Sequence, residues 1–519
     1  MSLAQPSDPK GDIPHPPWVK LGLLLSWRQG ALTFIAILTL ARVWLLFVSP
    51  FDLGPDEAQY WSWSRDFAFG YFSKPPMLAW LIGASTAVCG AGEACVRLAS
   101  PFLHGFTALM LFLLARNMFD DRVGFWAGVT YATLPGVWLS AGLISTDVPL
   151  LFFWSIALLG LWGLREERAF KWALVLGAGV GLGFMSKYAM IYFLIGAALA
   201  SLADKQTRRA LISPYGALAG LIAAAFIAPN LLWNAANDFS TVTHTAANAN
   251  WGADLFNFDQ MAEFITAQFG VFGPFLFGAL LFALWSFVAA WRKREAPEFR
   301  LLWLAAFVVP ALLVVTAQGF ISRANANWAA SAYAAATVLT VAWLLKSRAK
   351  VLLPVSFGLH TAVGLLLISL TIWPALIESL GRSNDFKRVR GWEEIGKFIE
   401  VRANEGLNET PFTAVLVNDR LTYGELLYYA PDLEVPLTMW DANGVPENHF
   451  ELMNGFSVEH DGNVLIVGRG RGAERMASRF AATVELQPLE VQIGGGRTRS
   501  YRLFAARGYA EPGTEAGIE

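Results

Sequence analysis

The sequence predicts a mainly α-helical polytopic membrane protein of about 11 transmembrane helices (roughly 9–13), with interface-lying helices in the first outer loop and a small extracytoplasmic α/β domain at the end. Three observations carry this. Of 519 residues, 55% are hydrophobic and the mean hydropathy is +0.43, too apolar for a soluble multidomain chain. Apolar runs recur at close to the roughly twenty-residue length that crosses hydrocarbon. Lysine and arginine gather in alternate loops, whereas the net charge of -2 is uninformative.

Residues 1–30 read as a disordered cytoplasmic tail: the stretch is polar and proline-rich, and no small-residue cleavage site follows the first apolar run. Apolar runs then occupy 31–49, 98–116, 122–142, 148–164, 172–186, 188–203, 210–228, 269–291, 300–317, 327–345 and 351–373. Placing the basic clusters at Lys20/Arg28, Arg116/Arg122, Arg165–Lys171, Lys205–Arg209, Arg292–Arg300 and Lys346–Lys350 inside requires two passes between 171 and 205. Asp56, Asp147, Lys187, the 229–268 loop, the 318–327 turn and everything after Ile372 then face outward. The transmembrane domain is expected to span 31–374. Residues 375–519 change character, with short strand-like and helical segments such as TAVLVNDR and GAERMASRFAA, and are long enough for a core of their own. Cys89 and Cys95 could form a disulfide outside, but a pair six apart is expected more often to stay reduced.

The run Asp52–Trp80 concentrates charge and aromatics directly after the first span, where charge is expensive and marks a site. Asp56 and Glu57 suit a general base with a neighbour that orients substrate, or merely a helix N-terminus. Tyr60 and Tyr71 stand beside them as substrate contacts. Lys74, before two prolines that hold the chain extended, presents an ammonium at headgroup depth, suited to a lipid phosphate or simply snorkelling. Asp147, at the mouth of a span, either contacts substrate or caps a helix. Lys187 and Arg323 are outward cations that call for an anion, phosphate or a buried partner. His244 lies in an Asn-rich loop and is a candidate sugar contact; no metal site is assigned. The glycines of 177–183 look like a dinucleotide loop but lie inside an apolar span, so close helix packing accounts for them. Gly468-Arg-Gly-Arg-Gly472 is read as a flexible turn.

Asp56-Glu57-Ala58-Gln59-Tyr60-Trp61, then Tyr71-Phe72-Ser73-Lys74-Pro75-Pro76, then Thr146-Asp147-Val148-Pro149 together resemble the polyprenyl-phosphate-sugar glycosyltransferases of GT-C type, the bacterial protein O-mannosyltransferase and lipid A aminoarabinose transferase group. The likeness covers roughly residues 30–375; Gly391-Trp-Glu-Glu394 and Asn418-Asp-Arg420 are similar to the extracytoplasmic domain of bacterial members. It implies Asp56 as catalytic acid-base group, Lys74 on the donor phosphate and Asp147 in support. Aminoarabinose transferases carry a glutamate implicated in metal binding where this chain has Ser73, which argues against both a metal requirement and that sugar. Ala324-Asn-Ala-Asn-Trp-Ala329 is similar to relatives that use uronic acids or other hexoses.

The expectation is an inverting membrane glycosyltransferase moving one sugar from a polyprenyl-phosphate carrier to lipid A or lipopolysaccharide core, with Lys187 and Arg323 aiding Lys74. A protein acceptor is the alternative within the class; a transporter or lipid flippase is the rival outside it, disfavoured because the charges sit at one face. Expected partners are the donor lipid, a glycolipid or protein acceptor and membrane lipid, with no nucleic acid. No cofactor is assigned and a divalent cation is the only candidate. The expected location is the bacterial inner membrane, with the active site facing the periplasm.

Overall fold

The computed structural model describes residues 26–510 except 248, 250–254, 409 and 445; most of the expected N-terminal tail lies outside the described residues. The chain is mainly helical. Among the described residues seven helices are long and apolar enough to cross a bilayer: Trp27–Val48, Glu93–Met118, Asp147–Glu166, Pro214–Ala236, Pro274–Arg292, Phe299–Ile321 and Leu352–Ile372. Four apolar helices are shorter, Met77–Cys89, Phe170–Ser186, Tyr188–Ala203 and Ala332–Lys346. The expected run 122–142 is not one helix: it breaks at Leu134 ahead of Pro135 into Asp121–Thr133 and Pro135–Ser140, as the missing proline N–H requires. The expected count of about 11 is therefore met only in part. Met77–Cys89 is an apolar helix that the charged loop around it conceals in sequence.

Glycines set how closely the central helices approach. A Cβ on Gly160 would stand 2.6 Å from the Leu176 amide, and one on Gly179 would stand 2.7 Å from that of Ala157, so Asp147–Glu166 and Phe170–Ser186 pack backbone to backbone. Gly177 does the same against the Ala219 carbonyl, at 2.6 Å. The glycine run is thus a packing device. Because the two helices are antiparallel and joined by a short turn, the first residue of one, Asp147, lies beside the residue after the other, Lys187.

The C-terminal part carries one sheet. Strands β1 (Ala414–Val417), β2 (Leu437–Met439), β3 (Val464–Gly468), β4 (Phe480–Glu485), β5 (Leu489–Gln492) and β6 (Thr498–Tyr509) are arranged β2-β1-β3-β6-β4, with β5 also on β6. The first three are parallel and β6 runs against β3, β4 and β5. β1 and β3 are buried along their length, as central strands covered on both faces must be. One apolar core runs from the first outer loop (Leu53, Ala58, Trp63) into this domain (Ile395, Tyr423, Phe450). The junction is also tied by polar bonds: Leu53 N donates to the Tyr429 hydroxyl at 2.7 Å, and Trp392 N donates to Asp52 Oδ2 at 2.8 Å. Cys89 and Cys95, expected reduced, are joined as a disulfide closing the turn between Met77–Cys89 and Glu93–Arg97, which brings their Cα atoms within 5.8 Å.

Candidate active site

Gly54 and Pro55 start the helix Pro55–Ser64, with Pro55 at a position where its missing N–H is harmless and two acids follow in the first turn. The two acids diverge. Glu57 is 5% exposed and its carboxylate is fully engaged. Oε1 accepts from Arg97 Nε (3.0 Å) and Ile144 N (2.9 Å), and Oε2 from Arg97 Nη2 (2.7 Å) and Gly54 N (2.8 Å). The expectation that Glu57 contacts substrate is corrected: it fastens the outer loop to the next helix and to the approach to Asp147. Asp56 points the other way, its side chain 59% exposed, and Oδ1 accepts from Arg420 Nη1 and Nη2 at 3.2 Å each. Arg420 also donates to Gln59 Oε1, one turn along. Among the described residues Asp56 Oδ2 accepts no hydrogen bond.

Tyr71 is scaffold: it is buried, stacks on Trp63 with ring centroids 5.0 Å apart, and places its hydroxyl 2.8 Å from the Trp63 carbonyl and 2.7 Å from that of Asp66. It holds the loop shape in place of the substrate expected. Tyr60 is likewise buried, and burial together with the Asp56 charge pushes its hydroxyl well above the usual tyrosine range.

Lys74 follows a turn closed in both directions, Tyr71 N to Lys74 O at 3.1 Å and Lys74 N to Tyr71 O at 3.3 Å. Thr241 donates to the Tyr71 carbonyl and Asn230 to the Phe69 carbonyl, both at 2.7 Å, so this loop is gripped from the 229–268 region. Burial lowers the pKa of Lys74 and the Lys187 ammonium lowers it further, against Asp56 and Asp147, which raise it. No carboxylate of the described residues forms an ion pair with it. Lys187 Nζ donates to Asp147 Oδ1 at 2.7 Å, and Asn327 Nδ2 donates to Asp147 Oδ2 at 2.6 Å. Asp147, 7% exposed, therefore holds a lysine and an asparagine and makes no bond to Asp56.

Lys74 and Lys187 line one cavity of about 380 Å³ with Ser73, Tyr188, Gln318 and Trp328. Asp147 and Asn327 line a second, of about 350 Å³, with His104, Ser140 and Tyr333. His244 sits edge-on to Phe72 at 5.6 Å, its pKa lowered by burial and then by Lys74 and Arg420, so it adjoins the cationic group. Arg323 is exposed and lines neither cavity. From the same segment Trp328 lines the Lys74 cavity and Asn327 donates to Asp147. Arg420, Arg97 and Gln59 were not expected; Arg420 had one sequence signal, its place directly after a buried strand at Asn418-Asp-Arg420.

Residues 73–233 match the family model described as dolichyl-phosphate-mannose-protein mannosyltransferase. The chain is 36% identical over 447 residues to the lipid A galacturonosyltransferase RgtD of Rhizobium johnstonii, across 86% of this chain and 92% of that one. The chain belongs to the polyprenyl-phosphate-sugar membrane glycosyltransferases. It is 27% identical over 385 residues to an undecaprenyl phosphate-aminoarabinose arabinosyl transferase of Pseudomonas fluorescens, 65% of this chain and 62% of that one. The fold matches ArnT from Cupriavidus metallidurans, apo and bound to undecaprenyl phosphate, with TM-scores of 0.64 at 16% identity over 92% and 94% of this chain and 98% of that one. The enzyme is thus a multi-pass membrane glycosyltransferase. Beside Lys74, Ser73 offers a hydroxyl, and each Asp147 oxygen accepts one hydrogen bond. Among the described residues, no three His, Cys, Asp or Glu side chains cluster.

Proposed function

We propose that the enzyme transfers one sugar, a uronic acid of the galacturonic type, from a polyprenyl-phosphate carrier to lipid A or lipopolysaccharide core. The uronic acid and the lipid A acceptor rest on the likeness to RgtD. The observation that carries the chemistry is the unpaired Lys74 ammonium beside Lys187, over a cavity and in the electrostatic reach of Asp56. A phosphate there meets two cations as its bond to C1 breaks, where charge develops on the leaving oxygen. The acceptor oxygen attacks C1, Asp56 takes its proton, and the C1–O electron pair leaves on the polyprenyl phosphate, giving inversion at C1. Asp147 acts through Lys187, holding it in place, and Arg420 holds the base. The positive-inside arrangement supports a site on the periplasmic face of the inner membrane: with Asp121–Thr133 and Pro135–Ser140 counted together as one pass and Met77–Cys89 left on the outer side, Arg116 and Arg122 stay inside while Asp56 and Asp147 face outward.

The test is transfer by purified enzyme from synthetic polyprenyl-phosphate galacturonic acid to purified lipid A, followed by mass spectrometry and by the anomeric configuration of the product. One added uronic acid with inverted configuration is expected, at a rate unchanged by EDTA. Transfer to protein only, or retained configuration, overturns the reading.

A further inference from the structure

We propose a second binding site, for the acidic headgroup of a membrane lipid, at Arg42 in the first span. It lies six residues from the end of Trp27–Val48 that leads into the catalytic loop, about 9 Å along the axis. Arg42 is 4% exposed, and a charge at such depth costs several kcal/mol unless it is partnered. Among the described residues it has no carboxylate partner. One N–H, on Nη2, donates to the Ala132 carbonyl at 2.7 Å, an acceptor freed by the helix break ahead of Pro135. The guanidinium lies over the Trp138 ring at 4.4 Å, fixing its plane, and Nε is buried with no acceptor.

This fork lines a cavity of about 210 Å³ that neither cavity of the active site includes. Its walls are Leu46 of the first span, Leu367 and Ile368 of Leu352–Ile372, Gly142 and Phe386. Arg97 also lines it but is bonded to Glu57; the one acid, Asp385, is paired with Arg382 at 2.6 Å. The remaining charge is thus Arg42, which selects an anion, and the apolar walls select one carried by lipid. Trp44, Phe47, Leu365 and Leu366, exposed on the same two helices, offer the surface along which acyl chains would run. A helix-capping role alone would use the bond to Ala132 and leave the cavity without an occupant. The inference does not rest on the transfer reaction.

The full chain, in neutral detergent, is titrated with phosphatidic acid, phosphatidylcholine, lipid A and inorganic phosphate while its melting temperature is followed. Phosphatidic acid should raise the wild-type melting temperature saturably, and phosphatidylcholine should not. Arg42→Gln should weaken half-saturation at least tenfold, with Arg42→Lys in between. Gly142→Phe provides the second variant: Gly142 lines the cavity, its Cβ would meet only the Leu139 carbonyl, at 3.6 Å, and the substitution puts a ring at the cavity wall while Arg42 is unchanged. It should lose the response as well. Lipid A binding more tightly than phosphatidic acid, with the same dependence on Arg42, assigns the site to the acceptor; equal binding assigns it to bilayer lipid. A full response in Gly142→Phe and Arg42→Gln, or the same shift from inorganic phosphate alone, overturns the proposal.

Discussion

Asp56 and Glu57 are neighbours in sequence, yet a helix turns successive side chains about 100° apart, and the two carboxylates do opposite work. Removing the proposed base at constant shape should leave folding intact: Asp56→Asn is expected to keep the wild-type melting temperature and to lose about 10² to 10⁴ in kcat. Glu57→Gln should do the reverse. It leaves the Arg97 guanidinium buried without its carboxylate, which typically costs about 3–5 kcal/mol, so the loss appears first in thermal unfolding. Lys74 adds a pH signature. Its pKa is lowered by burial and by Lys187, so the ammonium that meets the donor phosphate is lost as pH rises through a value below the ordinary 10.5. Donor KM should therefore climb on the alkaline side in the wild type and stay flat in Lys74→Arg, whose charge does not titrate there. An alkaline limb shared by both would remove Lys74 from the phosphate.

At the scale of elements, the site is a product of helix ends brought together by small residues. Asp147 at an N-terminus and Lys187 beyond a C-terminus each complement the helix dipole at their own end, and the close approach at Gly160 and Gly179 sets the distance between them. Gly179→Leu should force the helices apart, lowering the melting temperature by an amount equivalent to about 1–3 kcal/mol or more and raising donor KM through Lys187. Unchanged KM in a folded variant would separate the helix contact from the site. Part of this was legible beforehand: the charged outer loop, the division of 172–203 into two helices at Lys187, and Lys74, Asp147 and Lys187 as polar groups that lipid would not tolerate. What sequence could not show were partners chosen by the fold. Arg97 lies 40 residues from Glu57 and Arg420 364 from Asp56, and no local pattern joins them. In the 318–327 turn the cation drew attention, while the uncharged Asn327 reaches the carboxylate. Tyr71 sat among interface aromatics and gave no sign that its hydroxyl would bond backbone.

For the molecule as a whole, the C-terminal domain reaches the proposed base, since Arg420 pairs with Asp56, and the seam that docks it carries two buried acids. Glu425 is 1% exposed with both carboxylate oxygens unpaired, and burial, then Asp52 and Glu57, hold its pKa well above the usual range. Asp52 is raised from 3.8 to about 6, again first by burial. Both acids therefore bind protons more tightly folded than unfolded. Their contribution to stability is full below the unfolded values near 4 and is lost as pH rises through the folded ones, for Asp52 at about 6. The docked domain should accordingly be most secure in mild acid, and the melting temperature should fall between pH 5 and pH 8. Glu425→Gln, which fixes the neutral form, should match the wild type near pH 4 and exceed it increasingly above pH 5. If Glu425→Gln tracks the wild type across the whole range, the carboxyl is solvated in solution and the seam opens there.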